Sequence, residues 1–372
     1  MKVYLMNIKN VFIAKDGLEI EFQNGTKDTF PFLWLRDHCK DEENWDDRSN
    51  QRKLFTALLD PKISISHVKI VESKKQLETK WPDMDNSVLY SGEFLFNNSL
   101  TKNLLKSSQL VWDKKDISKY SIDIEYDSLK QKKGFQKLLQ VIKTHGFSVI
   151  NNCPKDIKSV EFIANKIGYV RNSIFGGLWS FESNSDMADS AYTQEELRPH
   201  TDGTYNNDAP GLQLLLCCDY DAEGGESIMV DGFKIAELIN KSEKDVFNVL
   251  SEVEIPGRYF GDGVELIAKR PVFRLNKENE ITQVSFNNYD RADFRLPNNE
   301  INRFYSSIST FDKLANDKSM QWRKILKPGQ LLIFNNWRIL HGRSEFKGKR
   351  RMSGCYINKE DFESACMMHS VN

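Results

Sequence analysis

The stretch Arg198-Pro-His200-Thr-Asp202-Gly-Thr-Tyr205 decides how this chain is read. On an extended backbone, side chains two apart point to the same side. An imidazole at 200 and a carboxylate at 202 therefore reach one metal ion together. A third ligand is needed, and His341 supplies it from Asn335-Asn336-Trp337-Arg338-Ile339-Leu340-His341-Gly342-Arg343. The long separation of 200 from 341 suits a jelly roll that brings its first and last ligand strands together. Two imidazoles and one carboxylate, leaving positions open, make the facial triad of non-haem Fe(II) oxygenases.

A lone His-x-Asp occurs by chance in many proteins, so its company carries the weight. Gly224-Gly225 and Ser227 follow at a spacing that fits the next turn. Arg350 follows His341 on the next predicted strand. Its guanidinium suits the distal carboxylate of 2-oxoglutarate through a bidentate pair, while the 2-oxo acid chelates iron. Ser227 adds a hydroxyl to that carboxylate. Arg351 competes for the role, but strand alternation sends only one of the two inward. His38, His67, His145 and His369 lack comparable company and read as ordinary surface or core residues.

Around this site, the 372 residues exceed what one core usually organises, so two domains are expected. Charged residues make up 28% of the chain, yet the formal net charge is −1. That balance has no electrostatic footprint for nucleic acid or an anionic membrane. The start, MKVYLMNIKN, is too polar for a signal peptide. No window approaches the roughly 18 apolar residues of a membrane helix, and a cytoplasmic enzyme is the expectation. The six cysteines are scattered without a Cys-x-x-Cys and read as reduced thiols.

Residues 1–100 read as a small β-rich domain. Val11–Ile13, Leu18–Phe22, Ile63–Ile65 and Val68–Val71 are its candidate strands, with hairpin signals at Asp16-Gly17 and Asn24-Gly25. Residues 101–119 read as a connector with some helix. From 120 to 372, helices come first: one over Tyr126–Thr144 stopped by Gly146, and one over Ile157–Ile167 stopped by Gly168. Strands follow at Gly211–Cys218, Ser227–Val230, Gln283–Phe286, Gln330–Phe334 and Met352–Ile357, interrupted by a helix after Asp231-Gly232. This order predicts an α+β fold whose strands make a sandwich or closed jelly roll.

Several motifs in order resemble the trimethyllysine dioxygenase and γ-butyrobetaine dioxygenase family, within the taurine-dioxygenase-like 2-oxoglutarate oxygenases. They are Trp34-Leu-Arg-Asp-His-Cys39, Ala191-Tyr192-Thr193, His200-Thr-Asp202-Gly-Thr-Tyr205, Gly224-Gly225 with Val230-Asp-Gly-Phe233, Asn287-Asn-Tyr-Asp-Arg-Ala292, Asn336-Trp-Arg-Ile-Leu-His-Gly-Arg343 and Gly354-Cys-Tyr356. The resemblance covers nearly the whole chain. It implies a double-stranded β-helix catalytic domain behind a small β-rich domain. It also implies His200, Asp202 and His341 on iron, and Arg350, six residues before Tyr356, on 2-oxoglutarate. A homodimer is compatible with it, though no oligomer seam is legible. The N-terminal part departs from the family, whose members bind a structural zinc through three cysteines and a histidine. Only Cys39 stands here, followed by Lys40-Asp-Glu-Glu-Asn-Trp-Asp-Asp-Arg-Ser-Asn50 and, later, Trp81-Pro-Asp-Met-Asp85. One thiol does not make a tetrahedral zinc site. The expectation is no structural zinc, with packing around Trp34 and Leu35 in its place.

For the substrate, the resemblance implies a trimethylammonium cage of Phe175, Trp179, Tyr192 and Tyr356. Aromatic faces attract a permanent cation without demanding hydrogen bonds that it cannot donate. Phe175 and Trp179, four apart, share a face if that segment is helical; for an arbitrary pair, core packing is the ordinary explanation. Phe175 stands where the family usually has Tyr. At Asp189 the butyrobetaine branch has a neutral amide and the trimethyllysine branch an Asp. A carboxylate there pairs with the α-ammonium that only trimethyllysine carries, although Asp189 also suits a turn cap. Tyr205 and the Asn287-Asn288 pair also resemble the trimethyllysine branch, and either asparagine suits a substrate carboxylate. The expected reaction is hydroxylation of a small trimethylammonium compound with O2, releasing succinate and CO2. Trimethyllysine leads, with γ-butyrobetaine or another quaternary ammonium compound as rivals. A betaine-binding module on a degenerate oxygenase fold is the non-enzyme rival, and the complete triad with Arg350 argues against it.

Overall fold

The computed structural model describes residues 6–71, 75–101, 109–182, 194–261 and 263–371. The chain divides into two compact units, Met1–Ser107 and Ser108–Asn372.

The first unit holds two three-stranded antiparallel sheets, β1 (Ile8–Ile13), β2 (Gly17–Phe22) and β3 (Lys27–Pro31), and β6 (His67–Val71), β7 (Gln76–Lys80) and β8 (Val88–Ser91). A two-residue pair, β4 (Trp45–Asp46) with β5 (Gln51–Arg52), lies between them in sequence. Short helices α1 (Phe32–Asp37) and α2 (Gly92–Asn97) follow β3 and β8. The Trp34–Cys39 motif therefore starts on a helix. Leu35 is fully buried, and Trp34 stacks on His38 at 4.2 Å and on Phe94 at 5.7 Å. Cys39 lies 2.9 Å from the Tyr90 hydroxyl, which donates to the Leu35 carbonyl at 2.7 Å. Arg36 donates to Asp83 and to Asn44, joining two loops. Ile63–Ile65, expected as a strand, is irregular backbone; its two isoleucines bury into the core without a pairing partner for the segment.

The second unit opens with α3 (Lys114–Ile117) and β9 (Asp123–Glu125), then α4 (Lys132–His145), β10 (Phe147–Asn151), α5 (Ile157–Ile167), β11 (Val170–Arg171) and β12 (Leu178–Glu182). The barrel strands follow: β13 (Leu197–His200), β14 (Leu212–Gly224) and β15 (Ser227–Asp231). Then come α6 (Gly232–Ser242), α7 (Lys244–Glu252), the hairpins β16 (Ile255–Gly261) with β17 (Val264–Arg270) and β18 (Phe273–Leu275) with β19 (Ile281–Val284), and α8 (Asn298–Asn316). The chain closes with β20 (Gln321–Lys324), β21 (Leu331–Asn335), β22 (Ile339–Arg343), β23 (Phe346–Ile357) and α9 (Lys359–Met368).

Apart from the two hairpins, these strands form two sheets. The larger runs β11-β23-β14-β21-β10-β9, with β12 also on β23, and the smaller runs β13-β22-β15-β20. This is the jelly roll of the α+β expectation. Period-two alternation explains how each sheet serves two neighbours. On β14, Leu212, Leu214 and Leu216 join the core that includes α4 and α5, while Gln213 and Leu215 line a central cavity. On β15, Ile228 and Val230 join a core with α6 to α8, while Ser227 and Met229 line the same cavity.

α4 forms because Phe135, Leu138, Leu139 and Ile142 recur at helical spacing and bury one stripe. Each fully buried leucine contributes roughly 1.5–3 kcal/mol. Gly146 ends the helix at φ +84, and a Cβ there would meet Ile339 at 2.6 Å. The predicted start at Tyr126 is a separate 3-10 turn, Tyr126–Lys130, before α4. Trp112, within the expected connector, is buried in the second unit's core and donates its indole N–H to the His145 carbonyl at 2.7 Å.

Candidate active site

The smaller sheet creates the metal-ligand cluster. β13 pairs antiparallel with β22, and His200 sits directly opposite His341. Their rings lie 4.4 Å apart. β13 ends at His200, so Asp202 reaches the pair from the bend just beyond the strand rather than from a strand position. Its Oδ1 lies 3.4 Å from His200 Nε2 and 3.5 Å from His341 Nε2. The ligand atoms of the three residues all fall within 4.8 Å of one another.

This bend is held by its neighbours. The Asp202 N–H donates to Asn336 Oδ1 at 2.8 Å, and the Asn336 amide donates to the Asp202 and Pro210 carbonyls at 3.0 Å. Thr201 exchanges backbone and hydroxyl hydrogen bonds with Phe286, turning its side chain away from the ligands. Tyr356 donates its hydroxyl to Asp202 Oδ2 at 2.7 Å, so Oδ1 is left facing the histidines. Behind β22, the fully buried pair Arg338–Asp231 at 2.7 Å anchors the turn that leads to His341, with Asp231 also accepting from the Trp112 and Phe233 amides.

The electrostatics suit a cation. Burial raises the Asp202 pKa, but the His341 and His200 partners outweigh it and hold the carboxyl well below its ordinary value. Burial lowers His341, only partly offset by Asp202. Burial also acts to lower His200, but the hydrogen bond and charge of Asp202 prevail and raise it. An ionised carboxylate between two imidazoles, one already disposed to be neutral, fits Fe(II).

Arg350 is buried on β23 and lines the same cavity. Among the described residues its Nε has no hydrogen-bond partner, and its Nη2 reaches only Met352 Sδ at 3.5 Å. Burial pushes its pKa below the usual arginine value. A desolvated guanidinium with donors to spare suits a carboxylate from a ligand. Arg351 turns outward to Asp219 at 2.6 Å. Gly225, at φ +72, passes so close that a Cβ would lie 3.3 Å from Arg350 Cδ.

The cavity also collects Phe175, Trp179, Tyr205, Ser227, Asn287 and Tyr356. Trp179 is 5.9 Å from Tyr356 and stacks on Phe181 at 5.5 Å. Its buried Nε1 and the Gln213 Oε1 are without partners among the described residues, a pattern expected where a ligand completes the polar contacts. The helical turn expected for Phe175 and Trp179 is absent: Phe175 lies in a turn closed by Ser173 and Gly176, and Trp179 is on β12. A tight turn leading into a strand brings both rings to one cavity without a shared helix face. Asn287 spends its amide on Asp290 and its carbonyl on the Tyr289 amide. Asn288 is not brought to this cavity; it lines a second, smaller one. Asp189 and Tyr192 lie outside the described residues.

Sequence reasoning passed over Arg343, Gln213, Tyr289 and Asn336. Arg343 was legible, since it follows His341 by two on a strand and shares its cavity face. Asn336 left no sequence signal for its contact with Asp202.

This fold and cluster define a jelly-roll oxygenase of the two-histidine, one-carboxylate type. Residues 111–356 match the model of the taurine catabolism dioxygenase TauD, TfdA family, and residues 12–96 match gamma-butyrobetaine hydroxylase-like, N-terminal. Trimethyllysine dioxygenase of Meyerozyma guilliermondii is 31% identical, over 94% of this chain and 92% of the relative. The mitochondrial trimethyllysine dioxygenase of Rattus norvegicus is 31% identical, over 93% and 84%. Gamma-butyrobetaine dioxygenase of Pongo abelii is 26% identical, over 93% of each. The chain belongs to the TauD/TfdA dioxygenase family. It is a 2-oxoglutarate-dependent dioxygenase, with Fe(II) as its metal. No helix among the described residues is long and apolar enough to cross a membrane.

Proposed function

We propose that this enzyme hydroxylates trimethyllysine, using O2 and 2-oxoglutarate and releasing succinate and CO2. The observation that carries the reading is that Phe175, Trp179 and Tyr356 line the same cavity as His200, Asp202, His341 and Arg350. A permanent cation is held by such rings, and the relatives named trimethyllysine dioxygenase support the choice.

Each residue then has a role. His200, Asp202 and His341 hold the iron, and Arg350 with Ser227 holds the distal carboxylate of 2-oxoglutarate. When bound, these two groups supply the oxygen chemistry that converts 2-oxoglutarate to succinate and CO2 while hydroxylating the substrate. Tyr356 has two duties: its ring walls the cage, and its hydroxyl orients Asp202. Trp179 and Phe175 fix the trimethylammonium and exclude water, which sets the carbon nearest the metal. The proposed roles of the two residues outside the described part are a further aromatic wall for Tyr192 and pairing with the α-ammonium for Asp189. Tyr205 and Asn287 line the remaining side. The reading extends to a cytoplasmic location, checked by cell fractionation, and to a homodimer, checked by light scattering.

The test is mass spectrometry of product and succinate with trimethyllysine, γ-butyrobetaine and unmethylated lysine. Hydroxylated trimethyllysine is expected, with no product from lysine. Product from γ-butyrobetaine alone would keep the reaction class, overturn the Asp189 assignment and favour the second reading that the Pongo abelii relative's name supports.

A further inference from the structure

Beside the catalytic cavity lies a second one, bordered by Thr204, Arg270, Ser285, Asn288 and Arg291. The space open to water inside it is about 40 Å³, against about 140 Å³ for the catalytic cavity. A single water needs roughly 10–15 Å³ on that scale, so the space suits a few waters or one small ion.

Arg270 makes the cavity unusual. The residue is 6% exposed, and both terminal guanidinium nitrogens, Nη1 and Nη2, are buried without any hydrogen-bond partner among the described residues. Burial, then the Arg274 cation, pushes its pKa down to about 10; Asp208 opposes them weakly. Asp208 is already engaged by Arg171 at 3.0 Å. Arg291, on the same wall, has its guanidinium over the Tyr305 ring at 5.9 Å. The local charge is thus positive, and a buried unpaired cation is strongly unfavourable unless an anion or bound water meets it.

The cavity is walled off from the metal site. Gly257 packs so tightly on Thr204 that a Cβ would lie 2.7 Å from its carbonyl carbon. Asp290 accepts from Asn287 at 2.9 Å and from Thr204 at 3.3 Å, and its carbonyl accepts the Arg258 amide at 2.8 Å. Segment 285–291 therefore separates the two spaces, and Asn287 borders both.

We propose that this cavity is a small-oxyanion site, in which the Arg270 guanidinium holds a carboxylate or phosphate group apart from the catalytic centre. An occupant tied to Arg270 on β17 and to Ser285 and Asn288 braces the segment that also lines the catalytic cavity. The site fits a free anion of acetate or phosphate size and is too small for a substrate-sized molecule.

The experiment is calorimetric titration of the full chain, with Mn(II) in place of iron and N-oxalylglycine saturating the Arg350 position. Acetate and phosphate are the two probes, which separate an organic carboxylate from an inorganic source. Wild type is expected to bind at least one of them saturably. Arg270→Gln should weaken that binding about ten- to a hundredfold, as loss of a charge-assisted pair implies, and Arg270→Lys should keep part of it. If Arg270→Gln does not fold, the comparison rests on Arg270→Lys and on thermal-shift titration of wild type with each anion. No saturable binding in wild type, or equal binding in wild type and variants, means that the cavity holds water only and overturns the proposal. A rise in KM for trimethyllysine in Arg270→Gln, with none for its carboxylate-free amine analogue, would assign Arg270 to the substrate and also overturn it. The anion titration needs no turnover, so its failure is distinct from failure of the proposed reaction.

Discussion

The two walls of the catalytic cavity are built on opposite plans. The smaller sheet presents His200 and His341 as cross-strand neighbours, with Asp202 stitched to Asn336 on both sides of its peptide. The larger sheet presents Arg350, Trp179 and Gln213, each with a buried polar atom that has no partner among the described residues. One wall holds its geometry through Asp202 and Asn336, although His341 Nδ1 is also buried without a partner among the described residues; the other carries three such atoms on residues that line the cavity. On the proposed reading, the groups that hold the metal sit on the first wall and the groups that select ligands on the second.

The largest effect that would break this comparison is on the metal wall. Asp202→Ala should reduce both succinate and hydroxylated product below detection, with the fold retained by circular dichroism. Persistent full activity would remove the iron assignment. On the opposite wall, Arg350→Ala should raise the KM for 2-oxoglutarate by roughly thirtyfold to several thousandfold, from about 2–5 kcal/mol for a truncated buried charge pair. An unchanged KM would leave Arg350 as a packing residue.

Asn336→Ala sharpens the comparison because it removes a positioning group without touching a ligand atom. Iron affinity should fall about ten- to a hundredfold, as for other residues that orient metal ligands, and excess Fe(II) should restore turnover. A variant that merely unfolds would not be rescued by metal. Trp179→Ala should raise the substrate KM about thirtyfold, on the basis of roughly 2 kcal/mol for a desolvated cation–π contact, while 2-oxoglutarate binding is retained. The smallest effect lies outside both walls. Burial, helped by Arg338, holds the His145 pKa below its ordinary value of 6.5. The unfolded chain therefore binds a proton that the folded chain resists, so stability is lost as pH falls below about 6.5. His145→Gln should flatten that acid-side slope in urea titrations.

The metal cluster was legible in sequence because His200 and Asp202 lie two apart and one long-range pairing brings His341, although Asp202 stands on a bend beyond β13 and not on the extended backbone that the spacing suggested. Arg350 against Arg351 needed a partner strand, since Asp219 is what draws Arg351 outward. Phe175 and Trp179 were read with the wrong periodicity, because a spacing of four does not exclude a turn followed by a strand. Ile63–Ile65 shows the same ambiguity, apolar enough for a strand but buried without pairing. The long α8 escaped notice although Phe304, Ser307, Phe311 and Ala315 trace one buried stripe; its mostly polar remainder masked the pattern. Arg270 had no signature at all, and Asn336, although it opens a quoted motif, gave no sign of its contact with Asp202, since their importance comes from which distant groups the fold brings, or fails to bring, to their polar atoms.

The measurement that tests the division between walls most directly is the ratio of hydroxylated product to succinate in Trp179→Ala against wild type. The account predicts a ratio near one in wild type, and in the variant continuing succinate formation with a ratio well below one. Loss of succinate together with product, or an unchanged ratio at saturating trimethyllysine, would contradict it.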